Sequence, residues 1–131
     1  PPRPQQDLGA TLGQEAAKCL KTMQKIRKQK KLDQDVSSEE ESLALQQSRV
    51  VLGLSALVLA APYQVPPWIP PALVHLARFT GVGRGVGDAV KKTFTEFKRT
   101  HQDNWMMHQE RFTSQQLEVF RDVLSSPSYY A

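Results

Sequence analysis

Apolar side chains are dense after Leu43 and sparse before it. In the first stretch, Leu12, Ala16, Cys19, Leu20, Met23 and Ile26 recur at helical spacing. They predict a helix from Thr11 to about Lys31 with one weak apolar face. Leu32 to Ser42, with Asp33, Asp35, Glu39, Glu40 and Glu41, reads as an acidic linker. Leu43 to Ala60 predicts a second helix. Its "VVLGLSALVLAA" half is apolar nearly all round, so most of its sides should be buried. Pro62 stops it, and "PYQVPPWIPP" is a connector, because proline is excluded from helix interiors.

Pro70 or Pro71 can open the next helix, which runs to Phe79 and presents Leu73, Leu76 and Ala77. "TGVGRGVG" then reads as a flexible turn. Its glycine spacing fails the dinucleotide pattern, and it follows a helix, not a strand. Asp88 is a good N-cap. The helix after it carries Val90, Phe94, Phe97 and His101 on one face, which makes His101 a hydrogen-bonded core residue. "DNWMMHQERF" continues in helical fashion, with Trp105 and Phe112 two turns apart and Met106 and Met107 as gap-fillers. Thr113-Ser-Gln-Gln116 is a capping box, flanked by Phe112 and Leu117 as a hydrophobic staple. The last helix runs to about Leu124 and should bury Leu117, Phe120, Val123 and Leu124. Pro127 ends it and biases Ser126 toward extended geometry.

The fold class is therefore all-α. Helix pairs beginning near Leu43 and Asp88 repeat at about 45 residues, the HEAT period. A solenoid unit cannot bury both faces alone, so antiparallel HEAT-like pairs here suggest the C-terminal end of a larger α-solenoid. The expected organisation is residues 1–42 as a partly disordered basic helix and acidic linker, 43–124 as the helical domain, and 125–131 as an extended tail. The chain opens Pro1-Pro2 rather than with methionine, which reads as a processed chain or a piece of a longer one.

Composition narrows the chemistry. The 131 residues carry a formal charge of +4, a weak preference for acidic partners. The single cysteine, Cys19, excludes an internal disulfide and points to a reducing compartment. Its cationic neighbourhood could lower its pKa. No uninterrupted apolar run reaches the ~18 residues of a membrane span. His101 and His108 have no third ligand at a useful spacing, so no metal site is expected. No nucleophile with a base and no paired carboxylates stand out, so no enzyme activity and no cofactor are expected. Lys25, Arg27, Lys28, Lys30 and Lys31 form a candidate nuclear-import or anion-binding patch. Alternatively they are a solvated helix end, where cations suit the helix dipole.

The sequence ends "SSPSYYA", with two aromatic rings beside a carboxylate. Capture of a C-terminal carboxylate is a recognised binding mode. "VVLGLSALVLAAPYQVPPWIPPALVHLARF", "VKKTFTEFKRTHQDNW" and "FTSQQLEVFRDVLSSPSYYA" closely resemble the C-terminal end of the large HEAT-repeat proteasome activators. The resemblance covers about Leu43 to Ala131. "TGVGRGVG" departs from the family's proline-containing, less glycine-rich turn.

The resemblance implies a tail motif of hydrophobic residue, tyrosine, any residue, which falls on Tyr129, Tyr130 and Ala131. It implies a partner, the α-subunit ring of the proteasome core particle. There Ala131 would supply the carboxylate, Tyr130 the gate effect, and Tyr129 would fill an apolar site. It further implies ATP-independent and ubiquitin-independent degradation, a nuclear and cytoplasmic location, and roles in chromatin and DNA repair. Recognition of acetylated histones would lie in regions outside this chain. The preferred reading has no membrane and no nucleic-acid partner. The alternative is a basic chromatin- or nucleic-acid-binding helical module using Lys18 to Lys31, which steep salt dependence would reveal.

Overall fold

The computed structural model describes residues 4–126. Among them there is no strand, and the chain is an all-α, solenoid-like stack of packed helices. α1 spans Pro4–Lys31, α2 Ser37–Leu59, α3 Ile69–Ala77, α4 Val86–His101, α5 Trp105–His108 and α6 Ser114–Ser125. Single 3-10 turns at Gln102–Asn104 and Gln109–Arg111 flank α5, so the stretch after His101 is broken rather than continuous.

α1 differs from its expected form in length and in packing. It begins at Pro4, not Thr11. Its weak apolar face is real: Ala16, Cys19 and Ile26 are buried, and Leu12, Leu20 and Met23 pack against the core. Ala16 and Cys19 share one hydrophobic cluster with α2, α3, α4 and α6. The charge boundary near residue 42 therefore does not divide the core. The acidic stretch is also mostly helical, because α2 starts at Ser37 and takes Glu39 and Glu40 into its first turn. Acidic groups there suit the positive end of the helix dipole.

α2 is the central helix. By length and composition alone it could cross a membrane. Here its apolar residues Val50, Val51, Leu54, Leu57 and Val58 are buried among α1, α3 and α4. Contact with α1 is close at Gly53, where an added Cβ would lie 2.9 Å from the Leu12 side chain. On the other flank, the hydroxyls of Thr93 in α4 and Ser55 are hydrogen-bonded at 2.9 Å.

The second half packs through aromatic rings. Val90, Phe94, Phe97 and His101 are all buried along α4 as their spacing predicts. Phe120 of α6 stands 5.5 Å from Phe94 and 5.8 Å from Phe97, and Trp105 lies 5.2 Å from Phe120. The capping box is formed: Gln116 N–H donates to Thr113 Oγ1 at 3.1 Å, and Thr113 N–H donates to Gln116 Oε1 at 2.8 Å. Phe112 is buried and Leu117 half-buried beside it. Two details depart from expectation. Leu124 is 36% exposed, because α6 turns only Phe120 and Val123 fully inward. Met106 and Met107 are 77% and 65% exposed and fill no gap, because the 3-10 turns rotate them outward. α6 continues through Ser125, and Ser126 is extended (φ −64, ψ 136) ahead of Pro127.

Candidate functional site

Three sequence segments meet at one end of the stack. α1 is antiparallel to α2: Gly9 near its start lies against Leu57 and Trp68, and Gly13 against His75. Its last turns reach the opposite end, where Met23 and Arg27 come together with Arg78 and the turn Gly81–Arg84. The recess between them has a volume of about 410 Å³. Leu43 and Ala44 of α2 form its apolar side, Gln47 adds a buried amide, and Glu40 supplies its one carboxylate.

The glycine-rich turn is built by backbone geometry. Asp88 does not cap α4; it sits in the first turn, and Gly85 takes the cap position with φ 82. Positive φ is nearly free for glycine, whereas Asp has a Cβ to accommodate. Arg84 before it also has positive φ, at 58. Gly87 closes the turn. Its N–H donates to the Val82 carbonyl at 3.0 Å, and an added Cβ would stand 2.2 Å from the Thr80 carbonyl oxygen. The segment is thus a closed turn held by its own backbone.

The candidate basic patch is only partly drawn together. Lys25, Arg27, Lys28, Lys30 and Lys31 are all exposed on the last turns of α1. Lys30 pairs with Glu40 of α2 at 3.3 Å. Of the five, only Arg27 lines the recess. Its companions Arg78 and Arg84 carried no signal beyond their type, since each is isolated in sequence. The other site residues, Tyr129, Tyr130 and Ala131, lie outside the described residues.

The remaining reactive groups have structural roles. Cys19 is fully buried, and burial pushes its thiol pKa up, not down as its cationic neighbours suggested. His101 is buried with Nε2 2.7 Å from the Gln64 carbonyl oxygen and Nδ1 2.8 Å from that of Phe97. Nδ1 also lies 2.8 Å from the Thr100 hydroxyl, which can donate to it; with the ring proton on Nε2, Nε2–H donates to Gln64 and ties the proline-rich connector to α4. His108 stacks edge-on at 5.0 Å from His101. Its pKa is lowered, first by desolvation and then by His101 and Arg111. Half-buried His75 is lowered by desolvation and by Arg78. Among the described residues, no three His, Cys, Asp or Glu side chains are grouped to hold a metal.

Fold and recess together define an all-α, solenoid-like helical module with an arginine-lined end. The chain belongs to the family described as "Proteasome activator complex subunit 4-like, C-terminal", which matches residues 44–131. It is 41% identical to proteasome activator complex subunit 4B of Danio rerio over 111 residues, covering 82% of this chain and 6% of that protein. It is 42% identical to proteasome activator subunit 4 of Arabidopsis thaliana over 103 residues, covering 79% and 6%. With proteasome activator complex subunit 4 of Homo sapiens it shares 48% over 81 residues, covering 62% and 4%. The chain thus spans only a small fraction of these relatives' length.

Proposed function

We propose that this chain is the C-terminal docking part of a proteasome activator. Its Tyr129-Tyr130-Ala131 tail inserts between α subunits of the core particle, promotes gate opening, and so supports ATP-independent degradation of peptides and proteins. The observation that carries this reading is the family match, which runs on through Ala131. The fold supports it by fixing the tail's origin. α6 is capped at Thr113 and anchored by Phe120 and Val123, so whatever follows Ser126 leaves from a rigid helix end. In this reading the chain regulates a peptidase and is not one itself, and it works in nucleus and cytoplasm.

Magnitudes indicate why such a tail needs a body. Burying two tyrosines contributes roughly 3–6 kcal/mol, and a charge-assisted hydrogen bond to the carboxylate ~1.5–3 kcal/mol. Association costs about 4–15 kcal/mol before the tail is ordered. The tail alone binds weakly, and a body resting on the ring raises its effective concentration.

The test uses the synthetic heptapeptide Ser125–Ala131, latent core particles and a fluorogenic peptide substrate. Stimulation by this peptide, lost with Tyr130→Ala and with a C-terminal amide, is the expected result. Deletion of Ala131 in the longer activator should likewise abolish stimulation. If the activator still opens the gate without Ala131, the reading is wrong.

A further inference from the structure

The end of the stack from which α6 departs is also the end that holds the arginine recess. α6 runs antiparallel to α4: Phe112, just before it, faces Phe97, while Phe120 faces Phe94 and Phe97. The C-terminal end of α6 therefore points toward the N-terminal end of α4, where the glycine-rich turn lies. Arg27 from α1, Arg78 from the end of α3 and Arg84 from the turn converge there on one recess.

The charges in that recess are unbalanced. Three guanidiniums face one carboxylate, and Lys30 already holds that carboxylate, Glu40, at 3.3 Å. None of the three arginines takes part in an ion pair among the described residues. Like charges gathered around a recess repel, and an outside anion relieves that repulsion. Arg84 is also held at φ 58, a conformation unfavourable for any residue with a Cβ, between two glycines that would adopt it freely.

We propose that this recess is a second docking contact, which receives clustered carboxylates from an acidic loop on the same partner surface that takes the tail. The inference rests on the function proposed above. Its geometric argument is tether length. The five residues from Pro127 to Ala131 span at most ~17 Å when fully extended. Neighbouring helix axes lie ~8–10 Å apart, so the recess is roughly 20 Å from the end of α6, across the same end of the stack. A partner that holds Ala131 is therefore kept within reach of the arginines. Guanidinium forks suit carboxylates, which they bind through two parallel hydrogen bonds. The contact adds to the tail by avidity.

The test titrates the chain over immobilised proteasome core particles at ~50 mM and ~500 mM salt, conditions that bracket strong and weak screening. Three forms are compared: wild type, Arg27→Gln/Arg78→Gln/Arg84→Gln, and Ala131 deleted. All three arginines are exposed, and matching melting curves confirm that the triple variant is folded. Exposed charge pairs lead us to expect about tenfold weaker binding by the triple variant at low salt. The difference should shrink to about twofold at high salt, and the Arg→Lys triple should recover most of it. Unchanged low-salt affinity in the triple variant, with binding still dependent on Ala131, overturns this inference and leaves the proposed function standing. A salt-independent loss overturns it as well. So does a triple variant that releases duplex DNA or inorganic polyphosphate but keeps its hold on core particles. If wild type is not retained and Ala131 deletion in the longer activator changes nothing, both readings fall.

Discussion

Gly87→Ala places local and tertiary preferences in direct opposition. Gly87 is the second residue of α4, where alanine would be favoured by up to ~1 kcal/mol on helix propensity. The structure reverses that sign. A Cβ on Gly87 would lie 2.2 Å from the Thr80 carbonyl oxygen, 2.8 Å from that of Val82 and 3.0 Å from the Thr80 carbonyl carbon. All three are backbone atoms, so no side chain can swing aside. Relief requires the turn to move by about an ångström. That stretches the Gly87 N–H bond to Val82, worth ~1 kcal/mol, and overpacks a closed turn at ~1–3 kcal/mol. Net destabilisation is ~1–3 kcal/mol once the propensity gain is subtracted. For a chain of this size that lowers Tm by roughly 5–10 °C. The assay is thermal unfolding followed by helical circular dichroism. Gly83→Ala is the control, since nothing lies within 4 Å of its added Cβ, and it should stay near wild type. Gly85→Ala should fall between them, strained only by its φ of 82. If Gly87→Ala melts at or above wild type, the closed turn and the recess built on it are wrong.

Thr113→Ala removes the capping box and should cost ~1 kcal/mol in urea denaturation, with Thr113→Ser nearly neutral. His101→Phe keeps the ring stack on Phe97 but leaves the Gln64 carbonyl without its donor; a loss of ~1–3 kcal/mol in the same assay is expected. Stability should fall as pH drops below the ordinary histidine value of 6.5, because His75 and His108 have lowered pKa values when folded. The unfolded chain then binds more protons, so unfolding free energy rises with pH through this window. His75→Gln should flatten the profile between pH ~5 and ~7, and an unchanged slope would show that His75 does not contribute. Cys19 should resist maleimide labelling in the native chain and react once urea unfolds it, since it is fully buried with a raised thiol pKa. Labelling at the same rate in both states would contradict the docking of α1.

Short-range signals decided much of this protein in advance. Helical spacing placed Val90, Phe94, Phe97 and His101 on one buried face, and the Thr113–Gln116 pattern set the start of α6. Pro127 fixed the extended backbone at Ser126. These features depend on neighbours within one or two turns, which the sequence displays directly. Tertiary packing decided the rest. The polar composition of the first 42 residues suggested a loose segment, yet burial of Ala16 and Cys19 against α2 and α3 makes α1 part of the core. Asp88 has the chemistry of a cap, but the backbone enters α4 three residues earlier through a left-handed Gly85, and Gly87 packs against the Thr80 and Val82 carbonyls to close the turn. The candidate patch was legible only as a run of cations on α1. Which of them lines the recess depended on Arg78 and Arg84, brought beside Arg27 by the antiparallel packing of α1 on α2 and the closure of the glycine turn. Such convergence across more than fifty residues leaves no local spacing to read, because packing, not sequence neighbours, brings the three arginines together.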